Sequence, residues 1–204
     1  MILGLTGAFG GGKSTVLRYF STKNWFIFDA DAICHSFYRE CPRDFVDGLR
    51  TIFGNGIFDK DGKPDKKNIA EVCFSDNEKL NRLTALIYPL LQKKMDESIE
   101  FCKKNSVDGV FELPLLYEGG YEKIFDAVLA IWTSPEIRVE RLKKRGFTAE
   151  DMQKRDAKQM ALELKLEKAD FALVNDGTPE ALYCQLDELL NGFTKKQLQK
   201  NLSM

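Results

Sequence analysis

Gly7-Ala8-Phe9-Gly10-Gly11-Gly12-Lys13-Ser14 carries the spacing G-x-x-x-x-G-K-[ST]. The chemistry this pattern suits is the grip of a polyphosphate. A chain that wraps phosphates must aim several consecutive backbone N–H groups inward, which calls for residues without a Cβ and with free access to positive φ. A helix opening near Lys13 adds the positive end of its dipole. Lys13 can then reach the β- and γ-phosphates, and the Ser14 hydroxyl can hold Mg²⁺. The plain alternative is a glycine-rich surface turn that binds nothing. The context speaks against it: Met1-Ile2-Leu3-Gly4-Leu5-Thr6 reads as a buried strand before the loop, and Val16-Leu17-Arg18-Tyr19-Phe20 has helical apolar spacing after it.

Carboxylates come next. Asp29-Ala30-Asp31 follows a second apolar run, Trp25-Phe26-Ile27-Phe28. In open parallel sheets ligands sit at the C-terminal ends of strands, so Asp31 is a candidate base that can share one sheet edge with the phosphate loop. Asp29 suits the N-cap of a helix over Ala30–Glu40, and one of the two acids is expected to do only that. His35, the single histidine, lies four residues after Asp31 and can share its helix face; the bland reading is a partly buried helix histidine. Glu112 closes a third run, Val107–Leu113, either as an acid for the water shell of Mg²⁺ or as a solvated or capping carboxylate. From Glu136 to Lys168 ten Lys/Arg face seven Asp/Glu, including Arg138, Arg141, Arg145 and Arg155. Such a helical pair is ordinarily a solvated face; beside a phosphate loop it competes as an arginine-bearing lid.

The elements that must hold these residues alternate. Strands are expected at the start of the chain, at Trp25–Phe28, Val107–Leu113, Ala127–Trp132 and Ala169–Val174. The fold expected is therefore α/β, a five-stranded parallel sheet with helices on both faces. Residues 42–105 read as a helical insertion with one turn-rich interruption at Phe53–Asp65, and would roof the sheet edge. In that interruption Asp59, Asp61 and Gly62 lack the spacing and terminal Glu of a calcium loop. Leu80, Leu83, Leu86, Ile87, Leu90 and Leu91 form one apolar stripe across Pro89. Ser134-Pro135 opens a helix, and Thr148-Ala149-Glu150-Asp151 resembles a capping box. A last amphipathic helix is expected to end near Leu190, leaving a fraying polar tail. One domain over 1–190 is expected, with a helical region at about 42–105, a lid at about 140–165, and 191–204 as tail.

With 204 residues, a net charge of −1 and 30% charged residues, no global field points to nucleic acid or an anionic membrane. Five scattered cysteines without C-x-x-C spacing suit a reducing compartment, and a cytoplasmic protein without a signal peptide or membrane span is expected.

Base-reading Asn-Lys-x-Asp is missing, which disfavours a GTPase, and the chain is short for a motor ATPase. A compact kinase with a roof and a lid fits, because closure keeps water from taking the phosphoryl group. Leu5-Thr6-Gly7 into Lys13-Ser14-Thr15, Asp29-Ala30-Asp31 with His35, Pro114-Leu115-Leu116-x-Glu118, Arg141, Arg145, Arg155-x-x-x-Gln159 and Ala169-Asp170-Phe171 before Asn175-x-Gly177 together resemble the dephospho-CoA kinase family of P-loop kinases, from residue 1 to about 190. The resemblance implies transfer of the ATP γ-phosphate to the ribose 3′-hydroxyl of dephospho-CoA, with Mg²⁺. It implies Asp31 as base or orienter of that hydroxyl, and Gly10, Gly11, Gly12, Lys13, Ser14 and Thr15 as the phosphate cradle with Ser14 on the metal. Arg141 is implied at the lid base on the adenine and among the catalytic groups with Lys13. Arg145 and Arg155 would reach the phosphates, Asn175 and Gly177 flank the adenine, and His35, Tyr88, Pro114 and Leu115 lie on the acceptor side. The chain departs from the family pattern at Tyr88-Pro89, where His-Pro is usual, at Glu112, where Asp is common, and at Gly11, where Ser is usual. Rival readings are another small-molecule kinase, of nucleoside-monophosphate or shikimate type, and a nucleotide-binding regulator without turnover.

Overall fold

The computed structural model describes residues 1–202; Ser203 and Met204, the end of the expected tail, lie outside the described residues. Strand β1 (Ile2–Gly7) is buried along its whole length and pairs in parallel with β3 (Gly109–Glu112) on one side and β4 (Ala127–Trp132) on the other. With β2 (Phe26–Asp29) and β5 (Phe171–Val174) the sheet order is β2-β3-β1-β4-β5. Alternation along the strands sends Leu3, Leu5, Leu129 and Ile131 to one face. There they pack with Val16, Leu17 and Phe20 of α1 (Lys13–Thr22) and Leu182 and Leu186 of α9 (Pro179–Leu202). Burying one such side chain contributes about 1.5–3 kcal/mol, so this layer anchors the loop that joins β1 to α1. The opposite face is closed by Leu116 and Phe125, so tightly that a Cβ on Gly4 would lie 2.7 Å from Phe125.

The chain divides into two compact units, Met1–Ile27 with Val107–Met204, and Phe28–Ser106. The second holds α2 (Ala30–Glu40), α3 (Arg43–Phe53), α4 (Lys66–Ser75) and α5 (Asn77–Asn105), around a core of Phe37, Phe45, Leu49, Ile57, Ile69 and Leu83. A second break, absent from the sequence reading, falls at Asp76, whose carboxylate accepts from the Lys79 amide and caps α5. In the first unit β4 leads to α6 (Pro135–Lys143), α7 (Ala149–Asp156) and α8 (Leu162–Lys168), so three helices stand where a pair was expected. The capping box at α7 forms with Asp151 in the Glu position. Helix α9 also passes the expected end near Leu190 and runs to Leu202.

Candidate active site

Gly12 sits at φ +93° and caps α1 without a side chain, so the first amides of the helix stay available to a ligand. A Cβ there would lie 2.0 Å from Nδ2 of Asn175 and would force that side chain to move. That amide donates to the Gly11 carbonyl at 2.9 Å, and the Thr133 hydroxyl donates to the same oxygen at 2.9 Å. Both side chains are buried. The carbonyl is thereby turned into the protein, which leaves the loop's N–H groups on the other side. The Asn175-Asp176-Gly177 loop is itself pinned to the end of β4, since the Asn175 amide donates to Trp132 O at 2.9 Å and the Ser134 amide to Asp176 Oδ1 at 2.8 Å.

Lys13 folds back over the loop. Its ammonium donates to the carbonyls of Gly7 at 3.0 Å and Ala8 at 3.3 Å and lies 3.5 Å from Oε1 of Glu112, a buried carboxylate at the end of β3. Ser14 is exposed on the first turn of α1. Arg141 donates to Oδ1 of Asn175 at 3.4 Å, and its Nη1 is a buried nitrogen with no hydrogen-bond partner among the described residues, 3.5 Å from the Cβ position of Gly12. An uncompensated guanidinium nitrogen at the loop is chemically matched to an anion. Arg145 and Arg155 both converge on Phe9, the aromatic residue of the loop: their guanidinium carbons lie 5.7 and 4.3 Å from its ring centre, and Phe147 meets it edge-on at 5.1 Å.

The structure thus brings Gly10, Gly11, Gly12, Lys13, Arg141, Arg145, Arg155 and Asn175 together on one loop, with Gly177 two residues beyond Asn175. Pro114 lies in the same unit; its carbonyl accepts from Nζ of Lys165 at 2.6 Å and faces the Thr6 hydroxyl at 3.4 Å. Leu115 follows it, half-buried.

The chain matches the family model described as CoaE, dephospho-CoA kinase, over residues 1–180. It belongs to the dephospho-CoA kinase family. It is 36% identical to the dephospho-CoA kinase of Aquifex aeolicus, over 95% of this chain and 97% of that one. Among solved structures it resembles TT1252 from Thermus thermophilus, with a TM-score of 0.77, 30% identity, and coverage of 94% of this chain and 97% of that one. The fold also matches the dephospho-CoA kinase of Campylobacter jejuni, with a TM-score of 0.72 at 23% identity over 96% of this chain and 98% of that one.

Within the second unit of this family member the two neighbouring acids separate cleanly. Asp29 Oδ1 accepts from the Ala32 amide at 2.8 Å and is the N-cap of α2, whereas Asp31 stands exposed in the first turn. His35, one turn on, is exposed, and Nζ of Lys66 lies 2.6 Å from its Nδ1. The same ammonium lies 3.4 Å from Nε2 of that ring. Cys34 lies between them in sequence; burial, then the charges of Asp31 and Asp29, push its thiol up to about 11. Tyr88 is half-buried on α5, one residue before Pro89, which the helix carries in its interior.

Two groups escaped the sequence reading. Arg138 is buried against the loop, its Nε on the Phe9 carbonyl. Lys165 is 1% exposed and holds Pro114 O, Gln159 Oε1 at 3.2 Å and Glu118 Oε1 at 3.1 Å, and burial lowers its pKa. On a charge-rich segment one lysine looks like another; the Pro-Leu-Leu-x-Glu run was visible, its lysine partner was not.

Proposed function

We propose that the chain transfers the γ-phosphoryl group of ATP to the ribose 3′-hydroxyl of dephospho-CoA, giving CoA and ADP. The observation that carries this is the phosphate loop: a glycine cradle with Lys13 and a buried Arg141 nitrogen at one helix start, in a chain that matches its family model over residues 1–180. The backbone of Gly10 to Thr15 holds the phosphates, and Lys13 exchanges the Gly7 and Ala8 carbonyls for phosphate oxygens. Exchanging neutral carbonyls for anionic oxygens strengthens those bonds, roughly doubling each. Arg141 packs at the adenine side with Asn175 and Gly177, and Arg145 and Arg155 leave Phe9 for the phosphates when nucleotide is present.

Asp31 accepts or orients the proton of the attacking hydroxyl. Its exposure, with Asp29 committed to capping, leaves it the acid free to meet a substrate. His35, Tyr88, Pro114 and Leu115 contact the acceptor. A magnesium ion fits the oxygen donors present, the exposed Ser14 hydroxyl directly and buried Glu112 through water. When bound it neutralises charge between the β- and γ-phosphates. The organisation proposed is one kinase domain over 1–190, with residues about 42–105 serving the acceptor and about 140–165 the lid. A cytoplasmic location fits the cysteine pattern, and among the described residues no helix is long and apolar enough to cross a membrane.

The test is ADP release from Mg·ATP with dephospho-CoA, with AMP and shikimate as control acceptors. Turnover with dephospho-CoA alone is expected. Turnover with AMP or shikimate instead would overturn the reading.

A further inference from the structure

The arginine that the sequence offered only as one of several basic residues on a helix is built into the phosphate loop. Arg138, on α6, is 5% exposed. Its Nε donates to the Phe9 carbonyl at 2.8 Å, and its Nη2 donates to both carboxylate oxygens of Asp156, each at 2.6 Å. Asp156 is the last residue of α7. One planar guanidinium therefore joins the loop to the far end of the next helix, a geometry a lysine ammonium on a flexible stem does not reproduce. Beside it a cavity of about 510 Å³ opens between the end of β4 and residues 156–165, lined by Ala8, Thr133, Gln159, Leu162 and Lys165. Past that space α8 has its own ties, Nζ of Lys165 to Pro114 O and the Met160 amide to Glu118 Oε1, each at 2.6 Å, whereas the Arg138–Asp156 bridge links the end of α7 to the loop. The same loop residue is held from its other side by Arg155 and Arg145 over the ring.

We infer that Arg138 and Asp156 are positioning residues that couple closure of the α6–α8 segment to the geometry of the phosphate loop, so that the loop and the lid take up ATP as one unit. This rests on the kinase reading above and deepens it. By holding the Phe9 carbonyl, Nε fixes the plane of the Phe9–Gly10 peptide, whose N–H belongs to the loop. Asp156 fixes the guanidinium in that plane and ties it to the helix that bears Arg155. Releasing Asp156 loosens the end of α7 against the loop, while α8 keeps its Lys165 ties and the loop keeps its own glycines, Lys13 and Ser14. The functional consequence is weaker ATP capture and poorer exclusion of water during transfer.

Asp156→Asn is the decisive variant, because Asp156 is partly exposed and its loss leaves Nε on Phe9. Expected are a tenfold or larger rise in KM for ATP, a rise of threefold or more in acceptor-independent ATP hydrolysis relative to transfer, and a KM for dephospho-CoA within twofold of wild type. Arg138→Lys is expected to behave alike, and Asp156→Glu to recover most of the ATP affinity. A melting temperature measured on each variant separates loss of fold from loss of coupling. Unchanged ATP KM and hydrolysis in Asp156→Asn would overturn the inference, and so would an equal loss toward both substrates with a lowered melting temperature. Failure of the wild-type chain to phosphorylate dephospho-CoA would instead sink the kinase reading. The dissociation constant of Mg·ATP, measured directly, then decides the bridge alone: tenfold weaker binding in Asp156→Asn supports it, equal binding refutes it.

Discussion

Gly12 and Asn175 form a pair whose energetics can be worked from the coordinates. In Gly12→Ala the new methyl would lie 2.0 Å from Nδ2 of Asn175, where ordinary contact begins at 3.4 Å. The Asn175 side chain must swing away, which removes its bond to the Gly11 carbonyl and leaves a buried amide unsatisfied, at about 1–3 kcal/mol. The backbone at φ +93° adds strain of about 1–2 kcal/mol for a residue with a Cβ. Together Gly12→Ala costs about 2–5 kcal/mol. Asn175→Ala alone costs less, about 1–2 kcal/mol, because Thr133 still donates to the Gly11 carbonyl. In the Asn175→Ala background the clash is gone, and adding Gly12→Ala costs only the backbone strain of about 1–2 kcal/mol. Urea unfolding of the four proteins measures this cycle directly. A cost of Gly12→Ala that is the same in both backgrounds, within about 0.5 kcal/mol, would refute the account of why this glycine is required. The same four proteins report on function: both singles release Arg141 from Asn175, so both should bind Mg·ATP more weakly.

Asp31→Ala should lower transfer to dephospho-CoA by about 10²–10⁴-fold, with the dissociation constant of Mg·ATP nearly unchanged; normal turnover would remove Asp31 from the mechanism. Lys165 gives a pH prediction with a definite sign. Burial lowers its pKa in the folded state, so the unfolded chain binds more protons between that value and about 10.5, and the Lys165 contribution to stability rises with pH across the window. Lys165→Met abolishes that slope, and urea titrations at pH 8 and 10 should show wild type gaining on the variant as pH rises. Cys34, with its thiol pushed up to about 11, should alkylate far more slowly at pH 8 than exposed Cys184, and Asp31→Asn should speed Cys34 selectively. Equal rates in the two proteins, by mass spectrometry of the labelled peptides, would show that the Asp31 charge does not reach the thiol.

What the sequence made legible follows the range of the interactions involved. The loop, β1 and the start of α1 were readable because each rests on neighbours within a few residues: glycines for the turn, an apolar run for the strand, a helix start behind them. The bounds Ala30–Glu40 were readable because Asp29 caps locally. The break at Asp76 was also local, with Ser75-Asp76-Asn77 as its signal, yet the apolar stripe that starts just after it, at Leu80, drew the whole stretch into one helical block. Strand order was not readable, since nothing in β1 says that β3 and β4 flank it.

Arg138 shows the limit most sharply. In the chain it is one of ten cations on a charge-rich stretch; in the fold it is the one whose guanidinium reaches a carbonyl 129 residues away and a carboxylate 18 residues away. Its neighbours Lys143, Lys144 and Arg145 are exposed, and no periodicity distinguishes them from it before α6 has been packed against the loop. The residues that touch phosphate carry a motif because the ligand's geometry fixes their spacing. The residues that hold those residues answer only to the fold, and a family pattern read from sequence passes over them. A variant at Asp156 therefore tests something that loss of Lys13 could not: whether the cradle works as a loop alone or only when the helix behind it is tied to the same arginine.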